Sequence, residues 1–250
     1  MEHYAIGDVH GEYETLIKLT DQLPNDAKLI FVGDLIDRGP ESSKVVEFVR
    51  SKNYQCVLGN HEYMMVEEAI LMKEMRTEYM IDELWAINGG LVTLESYGII
   101  EFVEEGMFIY TKNEENIDRF IDDAEWMKRL PLYIVADTKW KEHYDIIVSH
   151  AAIGEKWPAV IGHENHKSMF YHKYREHLTW NRAQRGAYKT FQMFNVFGHT
   201  PQKNVYVDVL NTTLGRNWAN IDSGCAYERE GFKRLTALNL TTMERVVQNR

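Results

Sequence analysis

The sequence predicts an α/β fold, with a largely parallel sheet built first and a β-rich second half. Three observations lead there. Short apolar runs at 3–6, 28–32 (KLIFV) and 54–58 (YQCVL) alternate with stretches of helical spacing. Each run ends in a Gly followed by acidic or histidine side chains. Beyond about residue 130, apolar runs of strand length dominate. Strands alternating with helices imply parallel pairing, and in such sheets ligand sites gather at the carboxyl ends of strands.

Residues 12–23 carry Tyr13, Leu16, Leu19 and Leu23 at helical spacing, and Pro24 closes the helix. A second helix begins near Pro40, with Val45, Val46, Phe48 and Val49 on its apolar face. A Met- and Glu-rich helix follows over 61–78, then a Gly-containing segment, INGGLVTLESYG, then an amphipathic helix over 117–129. Strands are expected at 132–136, 144–149, 193–198, 204–208 and 217–221, with a last pair near 232–240 and 244–248. Residues 154–178 hold four histidines and several aromatics, and read as a long loop or lid with room for one helix. His163-x-x-His166 reads as part of that polar loop rather than as a metal site, because no third ligand is forced to converge. Trp157, Phe170, Tyr171 and Tyr174 are its candidate substrate contacts. No Pro/Gly/Ser-rich linker divides the chain, so residues 1–250 read as one domain.

The bulk numbers exclude several classes. The chain has 250 residues, 44% hydrophobic and 26% charged, which is ordinary for a globular enzyme and unlike a disordered chain. Its formal charge of −10 argues against broad binding to nucleic-acid backbone, which needs a basic footprint. Cys56 and Cys225 are too few for a disulfide framework and read as reduced thiols in a cytoplasmic protein. No basic segment precedes a long apolar stretch, so no signal peptide is read. No apolar run approaches the ~18 residues of a membrane span.

Chemistry is concentrated in three motifs directly after the first three strands. They are GDVHG (Asp8, His10), GDLIDRGP (Asp34, Asp37, Arg38) and GNHE (Asn60, His61, Glu62). Later strand ends carry SHA (His150), FGHT (His199) and NIDSG. Asp8-x-His10 can aim both side chains at one ion if the backbone is extended. Mixed carboxylate, imidazole and amide ligands suit Mn, Fe, Zn or Mg. Asp8, His10, Asp34, Asn60, His150 and His199 are too many for one site, and fill two if Asp34 bridges. Paired cations of this kind suit phosphoester cleavage, where catalysis is chiefly positioning and charge stabilisation.

Together GDVHG, GDLIDRG, GNHE, SHA and GHT resemble the calcineurin-like metallophosphoesterases. Within them the set is most similar to the phosphoprotein phosphatase (PPP) family, in its bacterial and bacteriophage (lambda phosphatase-like) branch, as are GNHEYMM, WAINGG and TWNR. The resemblance implies a metallophosphoesterase fold, a central β-sandwich flanked by helices. It implies two divalent metal ions, Mn first among the candidates. Asp8, His10 and Asp34 would bind one ion; Asp34, Asn60, His150 and His199 would bind the other. His61 would protonate the leaving oxygen, oriented by Asp37, while Arg38 and Arg182 would grip phosphate. A metal-bridging hydroxide would attack in line. The expected function is a serine/threonine protein phosphatase, extending to tyrosine, acting on a phosphorylated protein or peptide. The alternative is a hydrolase of nucleotides: dinucleoside polyphosphates or nucleotide-capped RNA. Symmetrical diadenosine tetraphosphatases typically show GDLVARG and GNHD, so Asp37–Arg38 and Glu62 favour the phosphatase. Conversely, SHAAIG stands where eukaryotic members carry HGG, which weakens any carry-over of eukaryotic regulation.

Overall fold

Alternating burial along the strands divides most of the described apolar residues between two main cores. A computed structural model describes residues 1–75, 80–104, 106–168, 171–182, 193–211 and 216–250. Its first sheet runs in the order β12-β11-β1-β2-β3. Here β1 is His3–Ile6, β2 Lys28–Phe31, β3 Gln55–Cys56, β11 Arg234–Asn239 and β12 Arg245–Asn249. The β1, β2 and β3 strands pair in parallel, as the βαβαβ reading predicts, with α1 (Tyr13–Thr20) and α2 (Ser42–Ser51) between them. On its other side β1 pairs antiparallel with β11, Tyr4 opposite Asn239. The second sheet has the order β6-β7-β8-β10-β9. Its strands are β6 Tyr133–Trp140, β7 Tyr144–Ser149, β8 Met193–Phe197, β9 Tyr206–Asn211 and β10 Arg216–Asn220.

Ala5, Ile30, Val32, Ile146, Val148, Phe194, Val196, Ala219 and Leu238 form one buried cluster, joining both sheets face to face. Their neighbours Ile6, Phe31, Ile147 and Leu235 belong to the larger cluster shared with the helices. This is the period-two alternation of a sheet covered on both faces. Each large side chain so buried contributes roughly 1.5–3 kcal/mol. The fold is therefore the expected α/β sandwich flanked by helices. Among the described residues no helix is long and apolar enough to cross a membrane.

Other helices are α3 (Asn60–Met75), α4 (Glu83–Trp85), α5 (Leu91–Ser96), α6 (Glu114–Met127), α7 (Trp157–Val160) and α8 (Tyr171–Trp180). Asn113 caps α6, its side chain accepting from Asn116 N. A two-stranded hairpin, β4 (Ile100–Glu104) with β5 (Met107–Tyr110), follows α5 and has no counterpart in the strand expectations.

The region 154–178 differs from the expected lid. It contains a 3-10 turn (Gly154–Lys156), α7 and most of α8, and it is fastened to the body. Val160, Tyr171 and Leu178 are buried in the helix-side core. Leu132 N donates to Glu164 O, and Gly162 N to the Tyr133 hydroxyl. Spacing of three and seven puts Tyr171, Tyr174 and Leu178 on one helical face, and burial of that face outweighs the polar histidines around it. His163 Nδ1 lies 2.8 Å from Ser168 Oγ. Phe170 and the Trp157 side chain lie outside the described residues.

Candidate metal centre

Five strand ends supply the expected side chains. The loops after β1, β2 and β3 bring Asp8 and His10, then Asp34, Asp37 and Arg38, then Asn60 and His61. The loops after β7 and β8 of the other sheet bring His150 and His199. Backbone bonds lock the loops together: Val9 N and His10 N both donate to Asp34 O, and Gly11 N to Leu35 O. Glu62 adds a buried clasp. Its carboxylate accepts from Asp34 N at 2.8 Å, Leu35 N at 2.7 Å and Gly59 N at 2.9 Å.

The local backbone is strained. His10, Asp34, Asp37, Arg38 and His199 all have positive φ, between 50° and 72°. A non-glycine residue there costs on the order of 1 kcal/mol or more. His10 is thus turned rather than extended: the chain doubles back at Gly11 so that its amide can reach Asp34 O. Close approach explains two of the motif glycines. A Cβ at Gly59 would lie 2.3 Å from Asp34 Oδ1, and one at Gly198 would lie 1.9 Å from Asp8 Oδ1.

Lone pairs face one another in the centre. His150 Nδ1 is 2.8 Å from Val32 O, so it carries the proton and Nε2 is an acceptor. That Nε2 lies 2.9 Å from Asn60 Oδ1, 3.1 Å from His199 Nδ1 and 3.3 Å from Asp34 Oδ1. His10 Nδ1 is likewise held by Ile36 O at 2.8 Å, leaving its Nε2 3.6 Å from Asp34 Oδ2. The buried Asp8 Oδ1 and His199 Nε2 have no hydrogen-bond partner. Acceptors crowded without donors are what a cation resolves. Among the described residues, two groups have ligand atoms within 4.8 Å of one another: His10, Asp34 and His61, and Asp34, His150 and His199. Asp34 belongs to both, so the donor set fits two divalent ions sharing one carboxylate. In the first group His61 stands where the family pattern puts Asp8. Asp8 is close by, its Oδ2 accepting from His199 N at 3.0 Å.

Electrostatics follow the same pattern. Burial pushes the Asp8 carboxyl well up, helped by the charges of Asp222 and Asp34. Asp222 is raised to about 7 by burial, against the relief of the Gly224 amide. Burial also opposes ionisation of Asp34, but His150, His61, His10 and His199 around it win and hold it below the usual range. Burial, with the neighbouring His150, lowers His199 to about 3. His199 kept neutral beside an ionised Asp34 is in the state that metal binding requires, whereas Asp8 would have to give up its proton to a cation.

Next to these groups is a proton-donor arrangement. Its ring is buried, which opposes the charge, yet Asp34 and Asp37 raise the His61 pKa. His61 Nδ1 lies 2.6 Å from Asp37 Oδ2, while Nε2 faces Arg38 Nη2 at 3.0 Å. Asp37 is held in turn by Trp85 Nε1 at 3.0 Å and by the Thr93 hydroxyl at 2.6 Å. Arg38 is half-buried, and its other Nη contacts His10 Nε2. Arg182 is exposed, and its charge acts on both His199 and Asp222.

Trp85 and Thr93 are supports that motif reading missed, although both flank the conspicuous INGG. The signal was Gly89. Its φ is 107°, and a Cβ there would lie 2.6 Å from Arg38 N, so the segment must carry Gly to press against the GDLIDRG loop. The GNHE motif ties Glu62 to substrate preference, whereas in the fold it is a clasp on three backbone amides.

Comparison with known proteins bears on the family and the fold. Residues 2–210 match the family model described as "Calcineurin-like phosphoesterase". The chain is 29% identical to the asymmetrical bis(5'-nucleosyl)-tetraphosphatase PrpE of Anoxybacillus flavithermus, over 98% of this chain and 93% of that one. It is 26% identical to the Oceanobacillus iheyensis protein of the same name, over 89% and 83%. A solved structure provisionally described as a diadenosine tetraphosphatase superposes with a TM-score of 0.61 at 16% identity, covering 100% of this chain and 94% of the other. At that identity the likeness is one of fold.

Proposed function

The chain belongs to the calcineurin-like phosphoesterase family and is a metal-dependent phosphoester hydrolase, and from that premise we propose that its substrates are dinucleoside polyphosphates. What carries the reaction class is Asp34, shared between two converging ligand groups beside a carboxylate-held imidazole. The substrate class is supported by relatives aligned over nearly their whole length, whose names specify bis(5'-nucleosyl)-tetraphosphates.

Asp8, His10 and Asp34, with His61 close by, would hold one ion; Asp34, Asn60, His150 and His199 would hold the other, with Mn first among the candidates. Bound there, the cations would neutralise phosphoryl charge and ready a water for attack. The rest falls to the chain's own groups. Arg38 and Arg182, planar donors from separate loops, grip the phosphoryl oxygens. His61, fixed through Nδ1 by Asp37, delivers a proton from Nε2 to the leaving oxygen. Trp85 and Thr93 keep Asp37 aimed and do not touch the substrate.

A phosphoserine, phosphothreonine or phosphotyrosine protein phosphatase is the second reading, favoured by the PPP-like GDLIDRG motif. It ranks lower because two residues behind that preference face inward. Glu62 is spent on three backbone amides, and Asp37 on His61, Trp85 and Thr93. Neither is free to read a substrate. The deciding experiment compares kcat/KM for diadenosine tetraphosphate and a phosphoserine peptide, using the purified Mn-loaded enzyme. A clear preference for the peptide would reverse the ranking.

A further inference from the structure

Beside the metal centre lies a cavity of about 800 Å³, between α3, α4 and α8. It shares two walls with the centre. On one side is Trp180, whose ring stands 6.3 Å from His199. On the other is Trp85, which holds Asp37. A ligand could therefore place phosphates on the cations and extend a further group into the cavity.

The lining says what that group is. Tyr63 offers a half-buried ring, with the Arg175 guanidinium 3.8 Å from its centroid. Arg175 covers one face of that ring, so a base would stack on the other face of the tyrosine or on the guanidinium plane. Glu67, Glu68, Asp82 and Glu176 also line the cavity, and among the described lining residues Arg175 is the one cation. Glu68 and Asp82 already accept from the Asp82 and Trp85 amides; the polyphosphate belongs with the arginines of the metal centre, away from the carboxylates of Glu67 and Glu176. They accept hydrogen bonds from a donor-bearing edge. Adenine, guanine and cytosine present an exocyclic amino group. Uracil presents two carbonyl oxygens flanking one N–H, which would meet carboxylates.

We propose that this cavity binds one nucleobase of the substrate and selects bases that carry an exocyclic amino group. The inference rests on the dinucleoside polyphosphate reading and names its specificity site.

The test uses the Mn-loaded full chain and three small substrates, diadenosine tetraphosphate, diuridine tetraphosphate and p-nitrophenyl phosphate, with phosphoserine peptides, flanked or not by Lys or Arg, run beside them. Wild type should favour the adenine compound by roughly tenfold or more in kcat/KM, and Tyr63→Leu should raise KM for both dinucleotides by about tenfold. The double variant Glu67→Gln/Glu176→Gln should narrow the adenine–uracil gap. Nitrophenyl phosphate turnover should stay at the wild-type level in every variant, which shows an intact centre. Calorimetric binding of AMP and UMP reads the cavity independently of turnover: AMP should bind tighter, and Tyr63→Leu should weaken it. Equal use of both dinucleotides by wild type, or equal loss on all three substrates in Tyr63→Leu, overturns the proposal. So does a loss confined to phosphopeptides with Lys or Arg beside the phosphoserine, which would make the cavity a reader of basic side chains. A wild-type preference for phosphopeptide over dinucleotide, with AMP still bound ahead of UMP through Tyr63, would sink the substrate reading and leave the base site standing.

Discussion

Replacing Glu62 by Gln changes almost no volume but halves the carboxylate's accepting capacity. In the native chain Oε2 takes two amides, Asp34 N and Gly59 N, and Oε1 takes Leu35 N. The best orientation of Gln keeps its oxygen at the Oε2 position and turns its NH₂ against the Leu35 amide. One fully buried donor then has no acceptor and faces another donor. An orphaned buried donor costs about 1–3 kcal/mol, and the opposed pair places this one toward the upper end. Against a domain stability of roughly 5–15 kcal/mol this is a large share. Urea unfolding in excess chelator, which removes any contribution from bound metal, should show a lower midpoint at unchanged m. Glu62→Asp, one methylene shorter, should also lose stability. The ratio of kcat/KM for diadenosine tetraphosphate to that for phosphopeptide should not move in either variant. A Gln variant unfolding at the wild-type midpoint, or an Asp variant that keeps its stability and shifts that ratio, would refute the clasp.

Asp34→Asn should lose metal stoichiometry, read by atomic emission, together with turnover; two tightly held ions and normal turnover would end the bridging assignment. His61→Asn should cost ~10²–10⁴ in rate on alkyl phosphates and far less on nitrophenyl phosphate, whose leaving group needs no proton. Equal losses would remove His61 from the acid role. Glu68 lies away from the cations, raised to about 7 by burial and then by the Asp82 charge, against the relief of the Asp82 amide; Tyr110 also feels its charge. A carboxyl harder to ionise when folded adds stability that is full below pH about 4.5 and is lost as pH rises through about 7. Glu68→Gln should flatten that decline by about 1–2 kcal/mol, after discounting for solvent at the cavity mouth. Parallel pH–stability curves would show that the carboxyl titrates normally.

Local signals made part of this molecule legible. Apolar runs closed by Gly marked β1, β2 and β3, and the same junctions named the side chains that converge on Asp34. These are short-range facts, carried by neighbours in the chain. What escaped was long-range or geometric. No pattern near residue 4 says that its antiparallel neighbour is residue 239. The positive φ of Asp34 and His199 depends on loops from elsewhere pulling their amides into place. The 154–178 segment looks polar, yet Tyr171 and Leu178 anchor it because a helix sorts them to one side. The β4–β5 hairpin is largely exposed, so its side chains show little of the two-faced alternation that betrays a strand.

The pairing of β1 with β11 also bears on how the chain is made. During synthesis β1 emerges early, and its partner follows only when nearly the whole chain has been translated, on the order of ten to fifty seconds later. Through that interval β1 keeps one row of amides and carbonyls open on the side that β11 will cover. His199 is also translated late, so a nascent chain presents cellular cations with only part of the cluster around Asp34. The ligand group that includes His199 is therefore completed only late, and the unpaired strand edge of an interrupted chain is the natural point for a chaperone to shield.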